Sequence, residues 1–216
     1  MGRVIFLTGA TGFIGTQVAE RLLNEPDVEL QVLVRATDAT DAERRLSRAW
    51  WDEPDLRAAI GTRVRPVIGD VRSARLGLSD ETYGELVRRV NLVVHTAAEL
   101  RLDAPVEELR AANVDGVRNV LDLTYEIDRD HGLGRLVHVS TAYVAGCRSG
   151  VIDEGPSSDQ LGFLSGYEQS KHEGETLVRA AMRDLPIAIA RPGMVVGDSR
   201  TGAVKTFNTI YAPLRL

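Results

Sequence analysis

The chain has 216 residues, 44% of them hydrophobic, which is enough for one substantial core in a single domain. The formal net charge is −5, and without a basic block or an aromatic-rich basic stripe no nucleic-acid partner is expected. The one cysteine, Cys147, excludes an internal disulfide. No apolar run is long enough for a signal-peptide core or a membrane span, so we expect a cytoplasmic protein.

Short apolar runs alternate with longer segments of helical period, which is typical of repeated βα units. Strands are predicted at residues 3–8, 29–34, 64–68, 92–95, 136–140 and 187–190. Helices are predicted at residues 12–24, 41–49, 80–89, 105–128 and 166–183, with a short helical turn at 56–60. Because a right-handed crossover lays each helix on the sheet, the pattern predicts an α/β fold with a doubly wound parallel sheet of the Rossmann type.

Three glycines lie between the first strand and the first helix. Gly9 permits a tight turn, Gly12 lets backbone N–H groups approach a pyrophosphate, and Gly15 allows the helix to pack closely on the strand. The helix N-terminus adds a favourable field for phosphate charge. A tight turn without a ligand is the alternative, but the position at the first βα junction favours a dinucleotide. The residues expected to contact it are Gly9, Thr11, Gly12, Phe13, Ile14 and Gly15.

The second strand is followed by Arg35, about 20 residues after the turn, where the group that reads the adenosine ribose is expected. A protein that prefers NAD usually has Asp or Glu at this place. A guanidinium matches a 2′-phosphate in charge and in the geometry of its N–H groups. Arg35 therefore favours NADP(H) over NAD(H), and a solvated arginine at a strand end is the alternative.

Candidate catalytic side chains occur at the end of the fifth strand and at the start of the last helix. Tyr167 and Lys171 are four residues apart, so they share one helix face. A nearby ammonium is expected to lower the pKa of the Tyr167 phenol, which could then donate a proton to a carbonyl oxygen. Thr141 would hold that oxygen by a hydrogen bond, and Ser140 is the alternative donor. Lys171 could also reach the ribose of a nicotinamide nucleotide.

The order and spacing of the glycine turn, Thr141, Tyr167 and Lys171 resemble those of extended short-chain dehydrogenases/reductases over nearly the whole chain. The resemblance implies that Asn113 supports the active-site helix as part of the catalytic group; ordinary helix surface is the alternative. It also implies that Tyr167 and Lys171 touch the cofactor, together with residues after the third, fourth and sixth strands. These are Asp70, Val71, Thr96, Ala97, Ala98, Pro192, Gly193 and Val195. For Asp70, a helix N-cap is the alternative.

Within that family, residues 113–121, 139–144 and 191–202 are similar to the thioester reductase and fatty acyl-CoA reductase branch. This resemblance implies NADPH-dependent reduction of an acyl thioester, carried by coenzyme A or a carrier protein, to an aldehyde or an alcohol. Thr141 and Tyr167 would stabilise the oxyanion of a hemithioacetal. Homodimers are common among such relatives, so the same resemblance allows a homodimer.

The loop after the fifth strand bears on the competing activities of the family. A nucleotide-sugar dehydratase needs an acid beside the catalytic Thr, and Ala142 cannot serve. Nucleotide-sugar epimerases typically have Val-Tyr-Gly where this chain has Val144, Ala145 and Gly146. A ketone reductase needs only the same Thr, Tyr and Lys. A nucleotide-sugar epimerase and a ketone reductase of the same family are therefore the alternatives to a thioester reductase.

The regular pattern ends after the sixth strand. We expect an NAD(P)-binding Rossmann domain over residues 1–196 and the start of a truncated substrate-binding region over residues 197–216. In relatives, the region after the sixth strand closes over the substrate and excludes water. With this capping region largely absent, a non-catalytic NADP-binding module is the alternative to an enzyme.

Other reactive residue types are not assigned to a site. The four histidines form no grouping with cysteine or carboxylates, so no metal ligand is expected. Cys147 has no evident activating partner for a nucleophilic role. Trp50 and Trp51 are expected to pack a helix against the edge of the sheet; a place at a substrate entrance is the alternative.

Overall fold

The computed structural model describes residues 2–156, 158–199 and 202. Six strands form one parallel sheet in the order β3-β2-β1-β4-β5-β6. They are β1 (Arg3–Thr8), β2 (Val28–Val34), β3 (Val64–Ile68), β4 (Leu92–His95), β5 (Arg135–Val139) and β6 (Ile187–Ala190). Each lies within one residue of its predicted bounds, and the Rossmann-type α/β fold is confirmed.

Helices connect the strands and cover both faces of the sheet. They are α1 (Phe13–Leu23), α2 (Ala39–Ala49), α3 (Pro54–Ala59), α4 (Asp80–Arg89), α5 (Val106–Arg110), α6 (Gly116–His131) and α7 (Gly166–Ala181). Short 3₁₀ turns follow β3 at Ala74–Gly77 and β5 at Ala142–Ala145. Of the helices that the structure describes, none is long and apolar enough to cross a bilayer.

The prediction of one continuous helix over residues 105–128 is wrong. A turn of π-helix, Ala111–Asp115, separates α5 from α6, and α6 continues to His131. A hydrophobic period of 3.6 residues does not reveal a single inserted residue, which is what a π-turn adds. The helix ends where Gly132 adopts φ +85°, a conformation that favours glycine.

Alternate residues of the central strands face two cores on opposite sides of the sheet. Ile5 and Leu7 of β1 pack into one core, and Phe6 packs into the other. Trp50, which ends α2, is fully buried in the first core, whereas 66% of the surface of Trp51 is exposed. The expectation that both tryptophans pack against the sheet is therefore wrong for Trp51.

The order of the strands determines where a ligand site can form. The chain proceeds outward from β1 to β3 and then returns to place β4 on the other side of β1. In doubly wound sheets, ligands bind outside the carboxyl ends of the strands at this point of reversal. Most of the expected substrate-binding region, residues 200–201 and 203–216, lies outside the described residues.

Candidate active site

The turn after β1 is shaped by its glycines. Gly9 has φ +76°, and a Cβ at that position would lie 2.5 Å from Thr96 Oγ1. A Cβ at Gly15 would overlap the carbonyl group of Gly9. The indole N–H of Trp50 donates to the Ala10 carbonyl at 3.0 Å and supports the turn from the core. Gly9 is therefore required by its backbone conformation and by close contact, and Gly15 by close contact alone.

Helix α1 begins at this turn without a side-chain cap, because its N-cap residue is Gly12. By contrast, α2, α4 and α7 are capped by the side chains of Asp38, Ser79 and Ser165. The first N–H groups of an uncapped helix need an outside acceptor, and the helix dipole favours an anion there. This turn thus fits the pyrophosphate of a dinucleotide.

A cavity of about 640 Å³, within the range of ligand pockets, lies along the carboxyl edge of the sheet. Its lining includes most of the site residues expected from sequence. These are Gly9, Thr11, Gly12, Phe13, Ile14, Gly15, Arg35, Asp70, Val71, Thr96, Ala97, Ala98, Thr141, Tyr167, Lys171, Gly193 and Val195. Asn113 and Pro192 are not part of the lining. The Pro192 carbonyl instead accepts a hydrogen bond from the Ala142 N–H at 2.9 Å.

Asp70 follows β3 and forms a two-pronged ion pair with Arg72. Its Oδ2 accepts from Nε at 3.0 Å and from Nη2 at 2.6 Å. Burial opposes ionisation of Asp70, but the hydrogen bonds from Arg72 outweigh it and lower the pKa of the carboxyl. The following 3₁₀ turn is preceded by Ser73, so Asp70 is not a helix N-cap.

Arg72 was not expected from sequence at this site. Its place two residues after Asp70 could have indicated an ion pair with that carboxylate. Like the exposed Arg35, it lines the cavity. Arg35 is also one of the charges that lower the pKa of Asp70. The structure therefore brings two guanidiniums to one part of the cavity, where they could bind a phosphate.

Asn113 lies in the π-helical turn and is 1% exposed, so it is not ordinary helix surface. Its Oδ1 accepts from the Glu99 N–H at 2.8 Å, and its Nδ2 donates to the Glu99 carbonyl at 3.0 Å. Nδ2 also donates to Ser170 Oγ at 3.0 Å, and that hydroxyl donates to the Tyr167 carbonyl. The amide therefore joins the loop after β4 to the helix that carries Tyr167.

Lys171 is almost completely buried on the face of α7 that meets the sheet. Its side chain is 3% exposed, and Nζ donates to the Val139 carbonyl at 2.9 Å. Burial lowers the pKa of Lys171 to about 8, while the carboxylate of Glu175, one helical turn further on, acts in the opposite direction. At pH 7 the amine is therefore mostly protonated, and it loses its proton as the pH rises through about 8.

Burial raises the pKa of the half-buried Tyr167 phenol, and a hydrogen bond with Thr141 opposes this only in part. The expectation that Lys171 lowers the pKa of Tyr167 is wrong for this structure. The ammonium is directed to the Val139 carbonyl and is not among the groups that shift the phenol. A phenol that stays neutral is a hydrogen-bond donor, as an oxygen that gains negative charge requires.

Ser140 and Thr141 differ in the partners of their hydroxyls. Ser140 Oγ donates to the buried carboxylate of Glu175 at 2.7 Å. Thr141 Oγ1 accepts from the Tyr143 N–H at 3.3 Å, and Thr141 lines the cavity together with Tyr167, whose pKa it lowers. This arrangement favours Thr141 over Ser140 as a donor to a substrate oxygen.

Two buried histidines lie near Lys171. His95 on β4 and His138 on β5 are opposite each other in register, and their rings stack with centroids 5.4 Å apart. Burial, and secondly the charge of Lys171, lowers the pKa of His95 to about 3 and that of His138 well below its usual value. Both rings are therefore neutral at pH 7. Within the described ranges, no group of three His, Cys, Asp or Glu side chains is placed to hold a metal.

The cavity also has an apolar lining that sequence analysis did not assign. It consists of exposed side chains from the loops after β4, β5 and β6, namely Leu100, Leu102, Tyr143 and Met194. An isolated apolar residue in a loop gives no sequence signal that distinguishes a substrate contact from a chance exposure. Together these side chains could bind the apolar chain of a substrate.

Comparison with known proteins places this site in a family. The family model described as male sterility protein, an NAD-binding domain, matches residues 7–216. The L-2-aminoadipate reductase large subunit of Penicillium chrysogenum is 34% identical over 98% of this chain and 16% of its own. The terminal R domain of the myxalamid PKS-NRPS pathway has a TM-score of 0.88 at 35% identity, over 98% of this chain and 54% of that one. The R domain of a nonribosomal peptide synthetase from Mycobacterium tuberculosis has a TM-score of 0.74 at 29% identity, over 93% of this chain and 50% of that one.

The chain belongs to the male sterility protein family. Its fold is that of NAD(P)-dependent reductase domains of the extended short-chain dehydrogenase/reductase type. It spans about half the length of these solved R domains and 16% of the fungal reductase subunit.

Proposed function

We propose that the chain forms the dinucleotide-binding part of an NADPH-dependent reductase that acts on acyl thioesters. The observation that carries this proposal is the meeting of Thr141, Tyr167 and Lys171 in the cavity that begins at the glycine turn. The substrate class is supported by the similar chains, one a terminal R domain of a PKS-NRPS pathway and another an aminoadipate reductase. We infer a thioester carried by a carrier protein or by coenzyme A.

The residues present fit a nicotinamide dinucleotide. The glycine cradle and the uncapped start of α1 would hold the pyrophosphate. Arg35 and Arg72 would hold the adenosine end, and two guanidiniums there favour the additional 2′-phosphate of NADPH over the hydroxyls of NADH. When bound, this cofactor supplies the hydride for the reduction.

The side chains at the other end of the cavity would act on the substrate oxygen. The Thr141 hydroxyl and the Tyr167 phenol donate hydrogen bonds to the thioester carbonyl, and these bonds strengthen as negative charge develops on its oxygen. Since the phenol has a raised pKa, it keeps its proton until that oxygen is basic enough to take it. Collapse of the resulting hemithioacetal releases a thiol and an aldehyde. Asn113 acts through α7, by holding the backbone next to Tyr167.

We further propose that residues 1–196 form the dinucleotide-binding domain and that residues 197–216 begin a substrate-binding region. The support is the position of β6, which is the edge strand of the sheet, and of Gly193 and Val195 just after it in the cavity wall. The chain that follows β6 therefore starts at the site itself.

The reductase is tested by mixing the protein with NADPH and a panel of acyl-CoA and acyl-pantetheine thioesters. We expect loss of NADPH absorbance together with release of free thiol. Turnover of ketones without thiol release would identify a ketone reductase instead. Tight NADPH binding without turnover on any substrate would identify a non-catalytic binding module.

Tyr167→Phe is the matched variant for this assay, because it removes one hydroxyl and keeps the ring. We expect turnover to fall by about 100-fold or more, the usual contribution of a proton donor, with little change in NADPH affinity. Undiminished thiol release by the variant would exclude Tyr167 as the donor.

A further inference from the structure

Glu175 is a buried carboxylate that the mechanism above does not use. It lies on α7, one turn beyond Lys171, and is 2% exposed. Two guanidiniums and a hydroxyl bind it. Arg191 donates to both of its oxygens, at 2.9 and 2.5 Å, Arg179 Nε donates at 2.6 Å, and Ser140 Oγ donates at 2.7 Å. Burial opposes its ionisation, but these hydrogen bonds outweigh burial and lower the pKa of Glu175 to about 2.

We propose that Glu175 is a positioning residue of the reductase site, which fixes Thr141 through Ser140 and keeps the Lys171 amine protonated through its own charge. This inference rests on the proposed reductase function. It goes further by assigning a role to a group that touches neither substrate nor cofactor.

The geometric part of the role follows from what Glu175 joins. Ser140, at the end of β5, directly precedes Thr141, and Arg191 directly follows β6. The backbone bonds of Ser140 to Ala190 and of Ala142 to Pro192 hold the same two strand ends side by side. The carboxylate therefore ties α7 to the ends of β5 and β6, next to Thr141.

The same cluster also holds the segment that leads into α7. Arg179 donates to the Glu154 carbonyl at 2.9 Å, and Arg191 donates to the Gly155 carbonyl at 3.0 Å. Both guanidiniums are oriented by Glu175. Removing the carboxylate would therefore loosen the segment at Glu154 and Gly155 as well as the ends of β5 and β6.

The electrostatic part follows from the groups around Lys171. From the sheet it faces His95 and His138, both neutral at pH 7, and from its own helix it faces Tyr167, also neutral. Burial favours the uncharged amine, and Glu175 is the group that opposes this effect. Arg179 and Arg191 are the nearby cations, and both pair with the ionised Glu175 carboxylate.

The sequence offers a direct measurement, because it contains two lysines, Lys171 and Lys205. Lysine labelled with ¹³C at Cε gives two NMR signals, and the titration of Lys171 can be followed without cofactor or substrate. Glu175→Gln is compared with Glu173→Gln, which removes a carboxylate from the same helix where it pairs with Arg110. We expect the midpoint of Lys171 to fall by about one pH unit or more in the first variant and to stay unchanged in the second. A midpoint that is the same in the wild type and Glu175→Gln would overturn the electrostatic part.

If Glu175→Gln does not fold, Arg191→Gln replaces it. This variant keeps the carboxylate and removes a cation, so the Lys171 midpoint should stay or rise. A fall would overturn the proposal.

Ser140→Ala tests the geometric part, because it keeps the charge of Glu175 and removes only the bond beside Thr141. We expect a several-fold loss of kcat with little change in KM for NADPH and no shift of the Lys171 midpoint. An unchanged kcat would overturn this part. Since the NMR measurement needs no turnover, failure of the proposed reductase activity would be seen separately, as a wild-type protein that releases thiol from no thioester.

Discussion

The pKa values of Tyr167 and Lys171 are shifted in opposite directions in this structure. The pKa of Tyr167 is raised and that of Lys171 is lowered to about 8, and burial is the main cause of both shifts. Each side chain is thereby pushed toward its uncharged form. For Tyr167 the uncharged form is the proton donor, so burial helps the proposed chemistry. For Lys171 it works against the charge that the site needs, and alkaline pH should therefore reduce activity as the amine titrates.

The burial of Lys171 has a consequence for stability. Its pKa is about 8 in the folded chain and 10.5 in the unfolded chain, so below pH 8 both states carry the proton and folding must bury a charge. As the pH rises from about 8 to 10.5 the unfolded chain binds more protons, and this contribution to the free energy of unfolding increases. We therefore expect Lys171→Met, which buries no charge, to be more stable than the wild type by about 1–3 kcal/mol at pH 7.

Chemical denaturation of both proteins at pH 7 and pH 9.5 measures this difference. The advantage of Lys171→Met should shrink at the higher pH. A wild type that is equally stable at pH 7 would show that the bond to the Val139 carbonyl offsets the cost of burying the charge.

Arg35 and Arg72 provide the test of cofactor preference. Hydrogen bonds to a charged group contribute about 1.5–3 kcal/mol each, so Arg35→Ala should weaken NADPH binding by about 10- to 100-fold. NADH lacks the 2′-phosphate, and its affinity should change little. Binding is measured by the fluorescence of the reduced cofactor, with Arg72→Ala in parallel. An equal loss for both cofactors would remove the basis for preferring NADPH.

At the level of elements, the close approach of α7 to the π-helical turn positions both Asn113 and Tyr167. A Cβ at Gly174 would overlap the Asn113 carbonyl oxygen and lie 3.3 Å from Val117. The helix therefore needs glycine here although glycine costs about 1 kcal/mol relative to alanine within a helix. A larger residue at this position would prevent the contact between α7 and the π-helical turn.

Gly174→Ala should push the two segments apart and lower the free energy of unfolding by about 1–3 kcal/mol. Gly84→Ala in α4 is the matched control, because its Cβ would meet only the flexible end of Arg88, at 3.1 Å. That change should be neutral or stabilise the protein by up to about 1 kcal/mol. Thermal unfolding of the two variants separates packing from helix propensity, and similar behaviour would contradict the close-approach argument.

Sequence patterns predicted an element well where its position depends on residues that are close together in the sequence. The strand bounds follow from short apolar runs, and the glycine turn follows from three residues at fixed spacing. The π-turn was missed because its signal is one extra residue in a long periodic segment. Glu175 was missed for another reason: its partners Ser140 and Arg191 are distant in sequence, and only the fold brings them together.

At the level of the whole molecule, the cavity is shared by the two halves of the sheet. The glycine turn and Arg35 come from one half, and Thr141, Tyr167 and Gly193 come from the other. A ligand that spans both halves binds the folded state alone. If NADPH is the ligand, at 100 times its Kd it should stabilise the folded state by about 2.7 kcal/mol, which corresponds to a rise in Tm of about 5–10 °C.

Thermal unfolding with and without each cofactor measures this effect. NADPH should raise Tm at lower concentration than NADH does. Adenosine 2′,5′-bisphosphate, which carries the phosphate but no nicotinamide, should give part of the rise. A Tm that no nucleotide changes would contradict the cavity as a dinucleotide site.

The central place of β1 in the sheet also has a consequence for biosynthesis. During synthesis β1 gains β2 as a neighbour early, but its other edge waits for β4, and the opposite wall of the cavity waits for α7 and the residues after β6. Parallel pairing across such long crossovers is slow. A chain during synthesis thus cannot hold a dinucleotide between both walls of the cavity until the residues just after β6 have emerged, and the ligand would then fasten the two halves of the sheet to each other.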